Sequence, residues 1–235
     1  MGLFDRIRDA MGVGPPKPPP RFEPFEAVEE RRGAYANFER ALQKYGLIML
    51  IVGKRGGGKT ALGMQFLAWF NHVARRRCYG IGYNAAKLPR WIHKASYIED
   101  IPNDSVVLVD EAAILFFSRE AMTSMNKMLT KLMAIARHKN LSMVLITQSS
   151  ALIEINVLRL ADVLLLKEPS LLQARFERKA LQDLFSAADK TFKKIDGSVS
   201  HFYVYSDEFE GLVRYSLPYF WNDSISRSFR EFRGR

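Results

Sequence analysis

Residues 53–60 read Gly-Lys-Arg-Gly-Gly-Gly-Lys-Thr, a G-x-x-x-x-G-K-[ST] spacing that directly follows the apolar run Leu47–Val52. Glycines let backbone N–H groups wrap a polyphosphate without Cβ clashes, and a helix beginning at the loop's end adds its positive dipole end. Within Gly53, Lys54, Arg55, Gly56, Gly57, Gly58, Lys59, Thr60 and Ala61, Lys59 would reach the β- and γ-phosphates. The Thr60 hydroxyl would ligand Mg²⁺. The bland alternative is a strand-to-helix turn that binds nothing. All four fixed positions match and both flanks are right, so the spacing predicts a nucleoside triphosphate site.

A second constellation closes the run Val106–Val109 with two carboxylates, Asp110 and Glu111. At the C-terminal tip of a parallel strand, Asp110 would stand beside the phosphate loop and support the metal. Glu111 would polarise a water for in-line attack on the γ-phosphate. Alone, an apolar strand ending in Asp-Glu is commonly a surface turn; about fifty residues after a phosphate loop it reads as the hydrolytic half of a site. Gln148 follows another apolar run, Met143–Thr147, and is either a γ-phosphate sensor or an exposed strand-end glutamine. His138 and Lys139, before that run, read as solvated or backbone-binding groups, because His138 has no partner at metal-ligand spacing. Arg137, Arg159 and Arg119 lie in segments that could reach a neighbour's γ-phosphate. In a monomer they would be salt-bridge or surface residues.

The elements that must position these groups alternate. Apolar runs predict strands at Leu47–Val52, Cys78–Tyr83, Val106–Asp110, Met143–Thr147 and Val163–Lys167, mostly continuous as parallel strands covered on both faces are. Helical periodicity fills the gaps at Thr60–Ala74, Ala121–His138 and Leu171–Asp189, which indicates a doubly wound α/β domain. After Gly197 the pattern alternates, and His201–Ser206 with Leu212–Leu217 reads as a C-terminal β-hairpin. The expected organisation is an amphipathic docking helix over 1–13, a Pro-rich linker over 14–33, the catalytic domain over 34–222 and a basic amphipathic tail over 223–235. Residues 1–12 carry Leu3, Phe4, Ile7 and Met11 on one face, and are either a docking peptide or an unimportant frayed terminus.

Composition bounds the rest. A chain of 235 residues, 48% hydrophobic, holds one substantial α/β domain with small appendages. The single cysteine, Cys78, rules out a disulfide framework and any cysteine-based zinc site. No apolar run reaches the length of a membrane span, about 18 residues, and no signal-peptide pattern opens the chain. A net charge of +10 favours a polyanionic partner, nucleic acid first, through counterion release and steering.

Gly53–Thr60, Val106–Glu111 and the stretch from Ala136 through Arg137 to Gln148 resemble the FtsK/HerA superfamily of DNA-pumping ATPases. The Leu88-Pro89-Arg90-Trp91 segment and the Leu217-Pro218-Tyr219-Phe220-Trp221 ending are most similar to genome-packaging ATPases of membrane-containing icosahedral viruses, archaeal ones above all. The likeness covers roughly residues 40–222. It implies a RecA-like (ASCE) P-loop NTPase, with a mostly parallel sheet and helices on both faces, working as a ring: usually a hexamer, with a pentamer possible. It implies ATP and Mg²⁺, with Thr60 and Asp110 at the metal, Glu111 as the base, Gln148 as the sensor, and Arg137 or Arg159 acting across a subunit boundary.

The function so implied is ATP-driven translocation of double-stranded DNA into a preformed capsid. It places the protein in the host cytoplasm or on the virion, with a capsid or membrane-vertex protein docking through residues 1–12. Other classes stay open. One is a morphogenesis ATPase for virion assembly or secretion, like the Zot-type proteins of filamentous phages. Others are a plasmid DNA-transfer ATPase and a slow nucleotide-dependent scaffold.

Overall fold

The computed structural model describes residues 22–84, 86–110, 122–147, 155–169 and 179–227. Among them the continuous Val/Ile/Leu runs become the middle of one nine-stranded sheet. Its strands are β1 (Glu26–Gly33), β2 (Ile48–Val52), β3 (Cys78–Ile81), β4 (Ile92–Ala95), β5 (Val106–Asp110), β6 (Ser142–Ile146), β7 (Val163–Leu166), β8 (His201–Ser206) and β9 (Phe209–Arg214). The described helices are α1 (Tyr35–Leu42), α2 (Lys59–His72), α3 (Met122–His138), α4 (Ile155–Leu160), α5 (Lys179–Phe192) and α6 (Asp223–Arg227).

Strand order is β1-β9-β8-β7-β2-β6-β5-β3-β4. The six strands from β7 to β4 are parallel, and β8, β9 and β1 extend the β7 edge in antiparallel register. Side chains alternate across the pleat, and both faces are dry. Met49 and Ile51 join the core that holds α2, whereas Ile48, Leu50 and Val52 join the opposite core with α3 and α5. That is why β2 reads as an unbroken apolar run.

Helix α2 is buried nearly all round, from Ala61 to Phe70. The sheet covers one side, and the amino-terminal segment helps cover the other. Phe25 packs on Phe66 at 4.7 Å between ring centroids, Phe22 stacks on His72 at 5.3 Å, and the Gln65 amide donates to Glu23 O at 2.7 Å. At the opposite end of the strands, buried Arg76 donates to Ser105 O, Asp104 O and the Ser142 hydroxyl and lies 4.3 Å over the Tyr45 ring. It fastens the amino-terminal edge of the sheet.

Two expectations change. Residues 26–33, assigned to the linker, are β1, paired along its length with β9. Glu-Ala-Val-Glu-Glu-Arg-Arg-Gly carries no apolar alternation because it is an edge strand held by backbone hydrogen bonds and defended by charge. The hairpin's second strand begins at Phe209, leaving only Asp207 and Glu208 in the turn. The tail's first turn, α6, packs on its own domain through fully buried Ile225. Residues 1–21, which hold the expected docking helix and the proline run, lie outside the described residues, as do 170–178 of the helix expected from Leu171, and 228–235.

Candidate nucleotide site

The phosphate loop leaves β2 at Gly53 and enters α2 at Lys59, with Gly58 as the helix N-cap. Gly53 must be glycine: a β-carbon there would stand 2.6 Å from Lys167 Cβ. Lys59 is buried and folds back into the loop, where its Nζ donates to Gly53 O at 2.8 Å and to Lys54 O at 2.9 Å. The ammonium is thus already held by two carbonyls at the start of the loop.

Asp110 ends β5, buried, and its Oδ2 lies 3.4 Å from Thr60 Oγ1. Strand β6 runs between β2 and β5 and sets their separation. Helix α2 bridges that gap because Gly63, one turn after Thr60, allows close approach. A β-carbon on Gly63 would stand 2.7 Å from Leu108 Cδ1 and 3.1 Å from Ile146 Cδ1. Beside the acid, burial first and the Asp110 charge second push the Tyr83 phenol well above its ordinary range.

The β7 tip adds Lys167, expected only as the end of that strand, and Glu168, for which no role was expected. Lys167 is fully buried, and its backbone N–H donates to Val52 O at 2.8 Å. Its neighbour Glu168 accepts from Lys54 Nζ at 2.6 Å and from the Ser198 hydroxyl, and these bonds hold its carboxyl below the usual range. The available signal was an apolar run ending in Lys-Glu, and the structure sets that strand parallel and adjacent to the phosphate-loop strand.

The fold therefore brings Lys59, Thr60 and Asp110 together. It does not bring Arg137 or Arg159 to them within the chain. Arg137 donates to Leu160 O at 3.0 Å and pairs with Asp162 at 3.2 Å. Asp162 in turn accepts from Ile48 N, at the start of β2 and so at the far end of the strands. Exposed Arg159, on α4 just before β7, lies toward the same end. Glu111, Gln148 and Arg119 lie outside the described residues.

A hydroxyl and a carboxylate 3.4 Å apart are hard oxygen donors of the kind Mg²⁺ takes, the remainder of its shell coming from water and phosphates. Among the described residues no group of three or more His, Cys, Asp or Glu gathers as a self-sufficient metal cage, and no helix is long and apolar enough to cross a membrane.

A mostly parallel sheet with a strand between the phosphate-loop strand and the acidic strand defines the RecA-like P-loop ATPase class. The chain belongs to the Zonular occludens toxin (Zot) family, whose model matches residues 47–165. In structure it is similar to the genome packaging NTPase B204 of Sulfolobus turreted icosahedral virus 2. Against B204 in complex with ATP-γ-S, identity is 15%, coverage is 74% of this chain and 98% of the other, and the TM-score is 0.51. Against B204 in complex with AMPPCP the values are 17%, 73%, 99% and 0.51. At such identities the likeness establishes the fold. No curated protein matches in sequence.

Proposed function

We propose that this chain is an ATP-hydrolysing motor that moves double-stranded DNA, packaging a viral genome into a preformed capsid. The observation that carries the reading is the meeting of Thr60 and Asp110 across an interposed strand, with Lys59 inside the loop beside them. Likeness to a protein described as a genome packaging NTPase and a net charge of +10 support DNA as the load. Its basic side chains would grip phosphates without reading bases. Work as a ring of identical subunits, a hexamer or pentamer, belongs to this reading, as do a host-cytoplasmic or virion-associated setting and docking of a capsid or membrane-vertex protein through residues 1–12.

In the proposed mechanism the amides of Gly53–Ala61 cradle the phosphates, and Lys59 neutralises charge on the β- and γ-phosphates. Thr60 and Asp110 would hold Mg²⁺, which when bound neutralises charge developing on the phosphoryl oxygens. Glu111 orients the attacking water and takes its proton, Gln148 senses the γ-phosphate, and Arg137 or Arg159 reaches a neighbouring subunit's nucleotide. Membership of the Zot family favours a second reading, an ATPase for virion assembly or secretion.

The deciding experiment measures ATP turnover with and without double-stranded DNA, alongside the mass of the assembled species. A packaging motor turns over faster with DNA, with binding that falls steeply as salt rises. Turnover indifferent to DNA at every salt concentration favours the assembly reading. Lys59→Ala should abolish nucleotide affinity; unchanged binding by calorimetry removes the phosphate assignment.

A further inference from the structure

Both arms of the phosphate loop lean on one short stretch, Gly197–His201, through side chains that the chemistry above leaves unused. On the first arm Gly53 is packed flush against Lys167. The buried Lys167 Nζ donates to Val199 O at 2.6 Å and His201 O at 2.5 Å, and lies 3.3 Å from the Tyr215 hydroxyl. On the second arm that hydroxyl lies 3.1 Å from Gly58 O and 3.0 Å from Val199 O. A β-carbon on Gly58 would stand 3.0 Å from the same hydroxyl, so the contact is close. Outside these, Ser198 and Lys54 share one oxygen of Glu168.

We propose that Lys167 and Tyr215 are positioning residues of the ATPase. By gripping the same Val199 carbonyl they fix the spacing between the loop's two arms, and so set its affinity for the triphosphate. This rests on the reading of Gly53–Thr60 as the phosphate cradle.

Hydrogen counting shows how the grip works. A protonated Lys167 has three N–H groups, enough for both carbonyls and the Tyr215 oxygen, which leaves the single tyrosine hydrogen to be shared between Gly58 O and Val199 O. A neutral Lys167 has two, both taken by carbonyls, and its lone pair competes with Gly58 O and Val199 O for the tyrosine hydrogen. Burial pulls Lys167 down to about 7; the Glu168 charge opposes this and the Lys59 charge adds to it. The ammonium also touches the Tyr215 hydroxyl, and the elements around it carry Lys54, Arg55, His201, Tyr203 and Tyr205. A triphosphate in the loop favours the ammonium form, so binding above pH 7 draws a proton onto Lys167.

The test is calorimetric binding of ATP-γ-S with Mg²⁺ to the full chain at pH 8, in buffers of different ionisation enthalpy. The wild type should take up a fraction of a proton on binding, and Lys167→Met should take up none. Tyr215→Phe, which deletes only a hydroxyl, should stay folded but bind about fivefold more weakly, the scale of one hydrogen bond. A folded Tyr215→Phe that binds within about twofold of wild type overturns the proposal, even if Lys167→Met fails to fold. Wild-type chain that binds no nucleotide instead removes the cradle reading, and the positioning roles fall with it.

Discussion

Thr60 Oγ1 and Asp110 Oδ2 lie 3.4 Å apart although fifty positions separate them in the chain. A side chain from the first turn of α2 and one from the tip of β5 meet because α2 rests directly on β5 and β6 through Gly63. Asp110→Asn keeps the shape and removes the charge that would orient a metal's shell. Its Mg²⁺-dependent turnover should fall about 10- to 100-fold, while nucleotide binding without metal stays near wild type. Titration of turnover against Mg²⁺ checks this; an unshifted titration removes Asp110 from the metal.

Glu111→Gln should bind ATP and hydrolyse it at least about a hundredfold more slowly, the size of a general-base contribution. Single-turnover kinetics with nucleotide in place separate binding from chemistry. Near-normal turnover would strip Glu111 of the role.

Arg137 makes a half-exposed ion pair with Asp162, an interaction worth about 0.5 kcal/mol or less. Arg137→Ala should therefore leave the melting temperature almost unchanged. Mixed with Glu111→Gln subunits, it should regain part of the activity if the arginine serves a neighbour. No recovery at any mixing ratio assigns Arg137 to the tie with Leu160 and Asp162 alone.

Lys167 also predicts a pH slope in stability. Its folded value of about 7 lies below the 10.5 of a free lysine, so between those limits the unfolded chain binds more protons. Stability must then rise with pH across that window, and the cost of burying the charge is fully present below pH 7. Thermal melts from pH 7 to 9 should climb for wild type. Lys167→Met, whatever its absolute stability, should climb less, and equal slopes would contradict the shift.

What could be read in advance follows burial. Val106–Asp110 was placed to the residue because a strand covered on both faces must be apolar throughout, and the first departure, Asp110, marks its tip. Edge strands gave no such signal. Glu26–Gly33 and the short Ile92–Ala95 are held by backbone groups that every residue carries, so their side chains say little. Lys167 was visible only as a charge after an apolar run, which ordinarily points to solvent. Its partner Tyr215 comes 48 positions later, beyond the reach of any local pattern.

The antiparallel extension carries a consequence for how the chain is made. Tyr215 leaves the ribosome 157 residues after Gly58, and β1 waits for β9 before it can pair at all. A nascent polypeptide thus exposes its glycine loop long before the brace for that loop exists. With Tyr215 in the proposed positioning role, the loop reaches its full affinity only after that residue has been made.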